Sequence, residues 1–160
     1  MILYFLRHGL AEERQTWRGR DSDRPLTPAG KKKLASLVEA LAKLDLGIDL
    51  ILTSPYLRAF QTAEIVAAGL GKPVELVQEA RLSPGFEALL LEEILREHPE
   101  NKAILFVGHE PDFSQVVSAL IGGGNLLFKK AGLARVDLLR QSPLEGVLVW
   151  FFPPRLLVKE

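Results

Sequence analysis

The chain opens on an unbroken apolar run, Met1 to Leu6, which ends in Arg7-His8-Gly9. Such a run without polar alternation predicts a strand buried on both faces, as in a parallel sheet covered by helices. Asp49 to Thr53 and Lys102 to Gly108 read as two further buried strands. Lys72 to Val77 reads as a strand nearer an edge. Leu133 to Leu139 alternates apolar and polar positions, and Gly146 to Phe152 is apolar throughout; Arg140 to Glu145 between them reads as a hairpin-like connection.

Helical spacing fills the intervals. Thr27 is a good N-cap and Pro28 suits the first helical position. Leu34, Leu37, Val38, Leu41 and Leu44 follow as an amphipathic stripe, with Gly47 ending the helix. Ser54-Pro55 repeats the cap-plus-proline start, ahead of a buried side predicted from Leu57, Phe60, Ala63, Ala67 and Leu70. Phe86, Leu89, Leu90 and Ile94 mark a third helix to about Glu97, closed by His98-Pro99. Glu110-Pro111 opens a fourth, with Phe113, Val116, Val117, Leu120 and Ile121 on one face. Gly122-Gly123-Gly124 breaks it and reads as a turn. A phosphate loop is not indicated, because no strand precedes these glycines and no Gly-Lys-Ser/Thr follows. The pattern predicts an α/β protein: a three-layer α/β/α sandwich around a mostly parallel sheet of about six strands, with a C-terminal hairpin-like strand pair. One domain over residues 1–160 suits this length, at which about 70% of the unfolded chain's surface can be buried.

Composition narrows the functional classes. Twenty basic side chains balance twenty acidic ones. No positive excess exists to drive nucleic-acid or acidic-membrane binding. There are no cysteines. Thiolate nucleophiles, disulfides and cysteine-based metal sites are therefore excluded. The expected location is cytoplasmic, since no signal-peptide pattern is visible and no apolar run approaches the roughly 20 residues that span a bilayer.

Chemistry-bearing residues gather at predicted strand ends. Arg7 and His8 close the first strand, Arg58 lies just past the second, and His109 ends the fourth. In an open α/β sheet these ends share one edge, where ligands bind. Gly9 beside His8 removes a Cβ and lets a bulky anion approach. Arg58 falls near a helix N-terminus, which already favours anions. Two guanidiniums and two imidazoles with no acidic cluster make a cationic pocket that suits a phosphate-like anion. A metal site is disfavoured, because no Asp, Glu or Cys on these ends completes a ligand set. A serine triad is disfavoured too, since Ser54 precedes proline and no Gly-x-Ser-x-Gly elbow exists. The loop Leu10 to Arg24 carries four charges of each sign. It reads either as a solvated loop that balances itself or as the source of an arginine reaching back to His8, Arg24 before all. Trp17 either lines a pocket or packs as core. Lys31 to Lys33 read as a solvated face and His98 as a helix-end residue without a chemical role.

Four motifs, in order, resemble the histidine phosphatase superfamily related to phosphoglycerate mutases. They are Leu6-Arg7-His8-Gly9, the stretch Pro25 to Gly30, the stretch Thr53 to Ala63, and Val107-Gly108-His109-Glu110-Pro111. The short chain and the Ser-Pro-Tyr-Leu-Arg-Ala segment look most like the small SixA-type phosphohistidine phosphatases.

The resemblance implies a phosphoglycerate mutase-like fold and a covalent mechanism. His8 would attack phosphorus and carry the phosphoryl group, while Arg7, Arg58 and His109 would hold its oxygens. No metal and no organic cofactor is implied. Apart from the resemblance, the residue reading adds Gly9, Arg24 and Trp17 as candidates for substrate binding. Mutases and many larger relatives have an acidic residue directly after Arg-His-Gly, where this chain has Leu10. They also carry a proton-donating carboxylate after the third strand; here Glu79 and Glu87 fall in that region without a matching pattern, Glu79 being the candidate acid. A missing acid favours cleavage of an N–P bond or an activated ester.

The leading expectation is therefore a phosphohistidine phosphatase acting on a phosphorylated protein. The alternatives are a small-molecule phosphatase for a sugar phosphate or nucleotide, a mutase disfavoured by Leu10, and a non-catalytic phosphate-binding module on the same fold. Neither nucleic acid nor membrane is an expected partner, and the sequence does not fix an oligomeric state.

Overall fold

The computed structural model describes residues 1–156. One sheet of six strands runs through it in the order β3-β2-β4-β1-β5-β6. The strands are β1 (Ile2–Arg7), β2 (Leu50–Thr53), β3 (Glu75–Gln78), β4 (Ala103–Gly108), β5 (Leu133–Gln141) and β6 (Leu144–Phe152). β3, β2, β4 and β1 are parallel, while β5 runs antiparallel to β1 and to β6. The helices are α1 (Pro28–Ala42), α2 (Leu57–Gly69), α3 (Ala88–Glu97) and α4 (Asp112–Leu120).

The unbroken apolar strands divide their side chains between two cores, because successive residues point to opposite faces. Tyr4, Leu6, Ile51 and Leu105 pack with Leu34, Leu37, Val38 and Leu41 of α1 and with Ala59, Ala63 and Val66 of α2. Leu3, Phe5, Leu52 and Phe106 face the other way, against Leu91, Ile94 and Leu95 of α3 and Phe113, Val116 and Val117 of α4. Phe5 stacks on Phe106, and Phe113 meets Phe5 edge-on, both at 5.3 Å between ring centroids. The three layers of the expected sandwich are therefore present, and the C-terminal strand pair is a true hairpin. β3 lies at one sheet edge and has exposed residues, as its sequence implied.

Several expected details change. Thr27 does cap α1, its hydroxyl accepting from Gly30 N at 2.9 Å, but the helix ends at Ala42, well before Gly47, and Leu44 is exposed. Leu89 of α3 is exposed as well. α2 starts at Leu57 with Tyr56 as its N-cap, so Ser54 does not cap it. Its buried side is Arg58, Ala59, Thr62, Ala63 and Val66, a face rotated from the one its large apolar residues marked. Each residue turns a helix by about 100°, so this rotation carries Arg58 inward. α4 begins at Asp112, after Glu110-Pro111.

Candidate active site

Three adjacent strand ends build the site. Arg7 of β1 lies in register with Gly108 of β4, and His8 N donates to Gly108 O at 3.0 Å. On the other flank of β4, Ser54 N donates to Val107 O at 2.9 Å. His8, His109 and Ser54 are thus side by side where β1, β4 and β2 end. All three are buried, as is Arg58 in the first turn of α2. The imidazoles of His8 and His109 stand 5.4 Å apart between centroids, tilted by 58°. That gap is one a tetrahedral oxyanion can bridge.

Hydrogen bonding fixes the state of His8. Its Nδ1 lies 2.8 Å from the carbonyl oxygen of Gly9, which can only accept, so Nδ1 carries the proton. Nε2 is then left with its lone pair, and Arg58 Nε donates to it at 3.3 Å. Burial holds the pKa of His8 well below its ordinary value against the opposing Gly9 bond, and the charges of Arg58 and Arg7 add to the lowering. A neutral imidazole with a bare Nε2 is a nucleophile.

The same accounting applies to His109. Ser54 Oγ accepts from Tyr56 N at 3.2 Å and lies 2.8 Å from His109 Nε2. The tautomer in which the hydroxyl donates to Nε2 is the one that leaves Nδ1 of His109 as an N–H. This Nδ1 is buried without a partner, and so is Nε of Arg7. These are the two unpaired buried side-chain polar atoms among the described residues, and both belong to residues the sequence put at the site. Buried polar groups are nearly always paired; two unpaired nitrogens at neighbouring strand ends, the Arg7 one an obligate donor, suit a polar ligand between them. Burial, with Arg58, Arg24 and Arg7 nearby, lowers the pKa of His109 to about 3 against a smaller opposing effect of Asp21. Tyr56 packs edge-on against His109 at 5.2 Å and lies under the Arg58 guanidinium at 5.1 Å.

The pocket is not free of acid, contrary to the sequence expectation. Asp21 binds Arg58 through Oδ2 at 3.0 Å and through its carbonyl oxygen at 2.8 Å, and it binds Arg24 Nε through Oδ1 at 2.9 Å. Burial opposes charge on Asp21, but bonds and charge from Arg24 and Arg58 outweigh it and hold the carboxyl below the usual range. Arg24 thus meets the site through Asp21; its other bond goes to Glu12 O at 2.6 Å. On the far flank Arg7 Nη1 donates to Phe128 O at 2.7 Å, and Glu110 accepts from Phe128 N at 3.1 Å and from the Ser114 hydroxyl.

Motif residues without chemistry of their own brace these loops. Thr62 Oγ1 accepts from Gly9 N at 3.1 Å and donates to Arg58 O at 2.7 Å. Gln61 Oε1 accepts from Leu26 N at 2.9 Å. Gly9 has a packing reason: a Cβ there would lie 2.5 Å from Leu34 Cδ1. Trp17 is half-buried and spends its indole N–H inside its own loop, on Arg20 O at 2.9 Å. Glu79 is engaged by Arg81 at 2.8 Å and 2.7 Å through its two carboxylate oxygens, and this bonding lowers its pKa. A carboxylate so held is a poor proton donor. Asp21, Ser54 and Glu110 escaped the sequence reading. The only signal for Asp21 was its place in a loop of alternating charge. Among the described residues, no group of three or more His, Cys, Asp or Glu side chains is placed to hold a metal ion.

A cationic site at the C-terminal edge of this sheet, with a buried neutral histidine whose Nε2 keeps its lone pair, is an arrangement suited to phosphoryl transfer. Known proteins agree. The family model of the histidine phosphatase superfamily (branch 1) matches residues 3–84. An uncharacterized protein of Picosynechococcus sp. is 38% identical over 137 residues, 83% of this chain and 82% of the relative. The structure of the protein histidine phosphatase SixA complexed with tungstate superposes with a TM-score of 0.87 at 28% identity, covering 98% of this chain and 99% of that one. A protein of Agrobacterium tumefaciens named as a phosphohistidine phosphatase SixA gives a TM-score of 0.80 at 25% identity, over 96% of this chain and 98% of that one. The chain belongs to the histidine phosphatase superfamily, with the phosphoglycerate mutase-like fold and similarity to its SixA-type branch.

Proposed function

We propose that this protein is a phosphohistidine phosphatase that acts on a phosphorylated protein through a covalent intermediate on His8. The observation that carries the reading is the pair of unpaired buried nitrogens, Arg7 Nε and His109 Nδ1, beside a histidine whose Nε2 holds a lone pair. Nε2 of His8 attacks phosphorus in line. The bond from phosphorus to the substrate nitrogen breaks as the new P–N bond forms. The departing imidazole leaves neutral when its second nitrogen already carries a proton. Arg7, Arg58 and His109 donate to the equatorial oxygens, where charge is spread in the transition state. Each such donor is typically worth ~10²–10³ in rate. Water then attacks the phosphohistidine, loses a proton to solvent and releases orthophosphate, which restores His8.

Two observations support a nitrogen leaving group. Leu10 stands where larger relatives place an acid, and Glu79 is held ionised by Arg81. An alkoxide leaving group needs a proton donor that this arrangement does not supply. The similar SixA structure with tungstate, a tetrahedral oxyanion, supports the same class of ligand here.

The test is a substrate panel with intermediate trapping. A ³²P-phosphohistidine peptide is compared with sugar phosphates and nucleotides, and the protein is quenched and assayed for an acid-labile label. The expected result is faster turnover of the phosphohistidine peptide, a label on the wild type, and neither turnover nor label in His8→Ala. Equal or faster turnover of the small phosphates would overturn the protein-substrate reading. Undiminished turnover in His8→Ala would overturn the mechanism.

A further inference from the structure

A groove of about 940 Å³ lies beside the site, between the first turns of α1 and the segment that leads into β5. This volume is within the usual range of about 300–1,000 Å³ for ligand sites. Leu127, Phe151, Pro153 and Pro154 give it an apolar lining. Five cations surround them: Lys32, Lys33, Lys129, Lys130 and Arg155. No acidic residue lines the groove among the described residues. Among the described residues none of the five forms an ion pair, and every ion pair formed there uses an arginine elsewhere. In a chain of zero net charge, five cations gather here without an acidic partner among the described residues. Two adjacent lysine pairs held around an apolar floor repel one another until an anion joins them.

The groove is tied to the reacting residues. Gly9 and Leu10, directly after His8, contribute to its lining. Ala131, also in the lining, donates its N–H to His8 O at 3.1 Å. Lys129 and Lys130 follow Phe128, whose carbonyl oxygen holds Arg7.

We propose that the groove docks an acidic amphipathic segment of the substrate protein, its carboxylates meeting the lysines and its apolar side chains entering the cleft. This deepens the phosphoprotein reading above and rests on it. A protein segment fits better than a membrane surface, because the apolar positions lie inside a concavity and a flat bilayer reaches only the rim.

The test uses the full chain and a synthetic peptide that alternates Glu with Leu and Phe and carries no phosphoryl group. Binding is followed by fluorescence anisotropy at low and high salt, against a control peptide with Lys in place of Glu. The acidic peptide is expected to bind, more weakly as salt rises. The double variant Lys32→Glu/Lys130→Glu should weaken it at least about tenfold, as charge-pair losses at interfaces do. Lys32→Gln/Lys130→Gln, which carries no new charge, should weaken it less. Both variants should turn over an aryl phosphate at the wild-type rate. Equal binding of both peptides, or wild-type affinity in the charge-reversed variant, overturns the proposal. Binding to phosphatidylserine vesicles with none to the acidic peptide overturns it too, in favour of a lipid surface. Hydrolysis of a phosphohistidine peptide without acidic-peptide binding removes the groove proposal and leaves the function standing; the converse result removes the function and leaves the groove.

Discussion

Arg58 Nε donates to His8 Nε2 at 3.3 Å while the same guanidinium grips Asp21 by its two terminal nitrogens. One planar group thus aligns the nucleophile and is itself aligned by a carboxylate. A lysine has no rigid fork with which to make these contacts together. Arg58→Lys is expected to lower kcat/KM for an aryl phosphate by ~10²–10³, with the fold retained by circular dichroism. Wild-type turnover in this variant would show that the alignment has no catalytic weight.

Ser54 Oγ lies 2.8 Å from His109 Nε2, and when it donates there the ring proton is on Nδ1. In Ser54→Ala the Nε2 atom loses its proton donor, and the ring is free to place its own proton there. The open N–H that faces an incoming anion is then lost in part of the population. Phosphate affinity, read by titration calorimetry, should fall by about tenfold, the worth of roughly one charge-assisted bond. His8 labelling should slow but survive. Unchanged affinity would mean that His109 reaches the anion in either tautomer.

Glu79 serves structure. Glu79→Gln keeps the shape of the Arg81 contact and removes its charge. Turnover of the phosphohistidine peptide is expected to stay at the wild-type level, while the unfolding free energy drops by about 1 kcal/mol. A loss of the alkaline limb of the pH–rate profile in this variant would restore Glu79 as a proton donor.

The buried histidines make stability depend on pH with a definite sign. Folding lowers the pKa of both His8 and His109, chiefly through burial. Below the ordinary histidine value of about 6.5 the unfolded chain binds protons that the native site refuses. Stability is therefore full above that pH and falls as pH drops, by up to about 1.4 kcal/mol per pH unit for each imidazole. Urea titrations between pH 7 and 5, above the range where most carboxylates titrate, should show this slope. His109→Gln should reduce it by up to half. A slope unchanged by that substitution would place the titrating groups elsewhere.

The sequence was most legible where one physical demand acted alone. Strands β1, β2 and β4 must be apolar on both faces, and α4 must be apolar on one; their patterns state this directly. α2 was legible as a helix and misread in orientation, because it answers two demands. Arg58 and Thr62 turn inward to serve His8 and Gly9, and Phe60 is left only half-buried. Hydropathy cannot report a polar face buried for chemistry. The histidines and arginines were legible because strand ends share an edge in a parallel sheet. Asp21 was not, since its partners Arg58 and Arg24 are joined to it only by the path of an irregular loop. Ser54 looked like a helix cap by its Ser-Pro context, while its hydroxyl is committed to His109.

His8 is sewn into the backbone from both sides, donating to Gly108 O and accepting from Ala131 N. With the main chain anchored, the Nδ1 bond to Gly9 O at 2.8 Å orients the ring, so that Nε2 keeps one aim through both halves of a catalytic cycle. In the proposed mechanism, water must therefore come in through the space the leaving group vacates, and each displacement inverts the phosphorus centre. Two inversions return the original hand. A substrate made chiral with oxygen isotopes and sulfur should give inorganic thiophosphate of retained configuration.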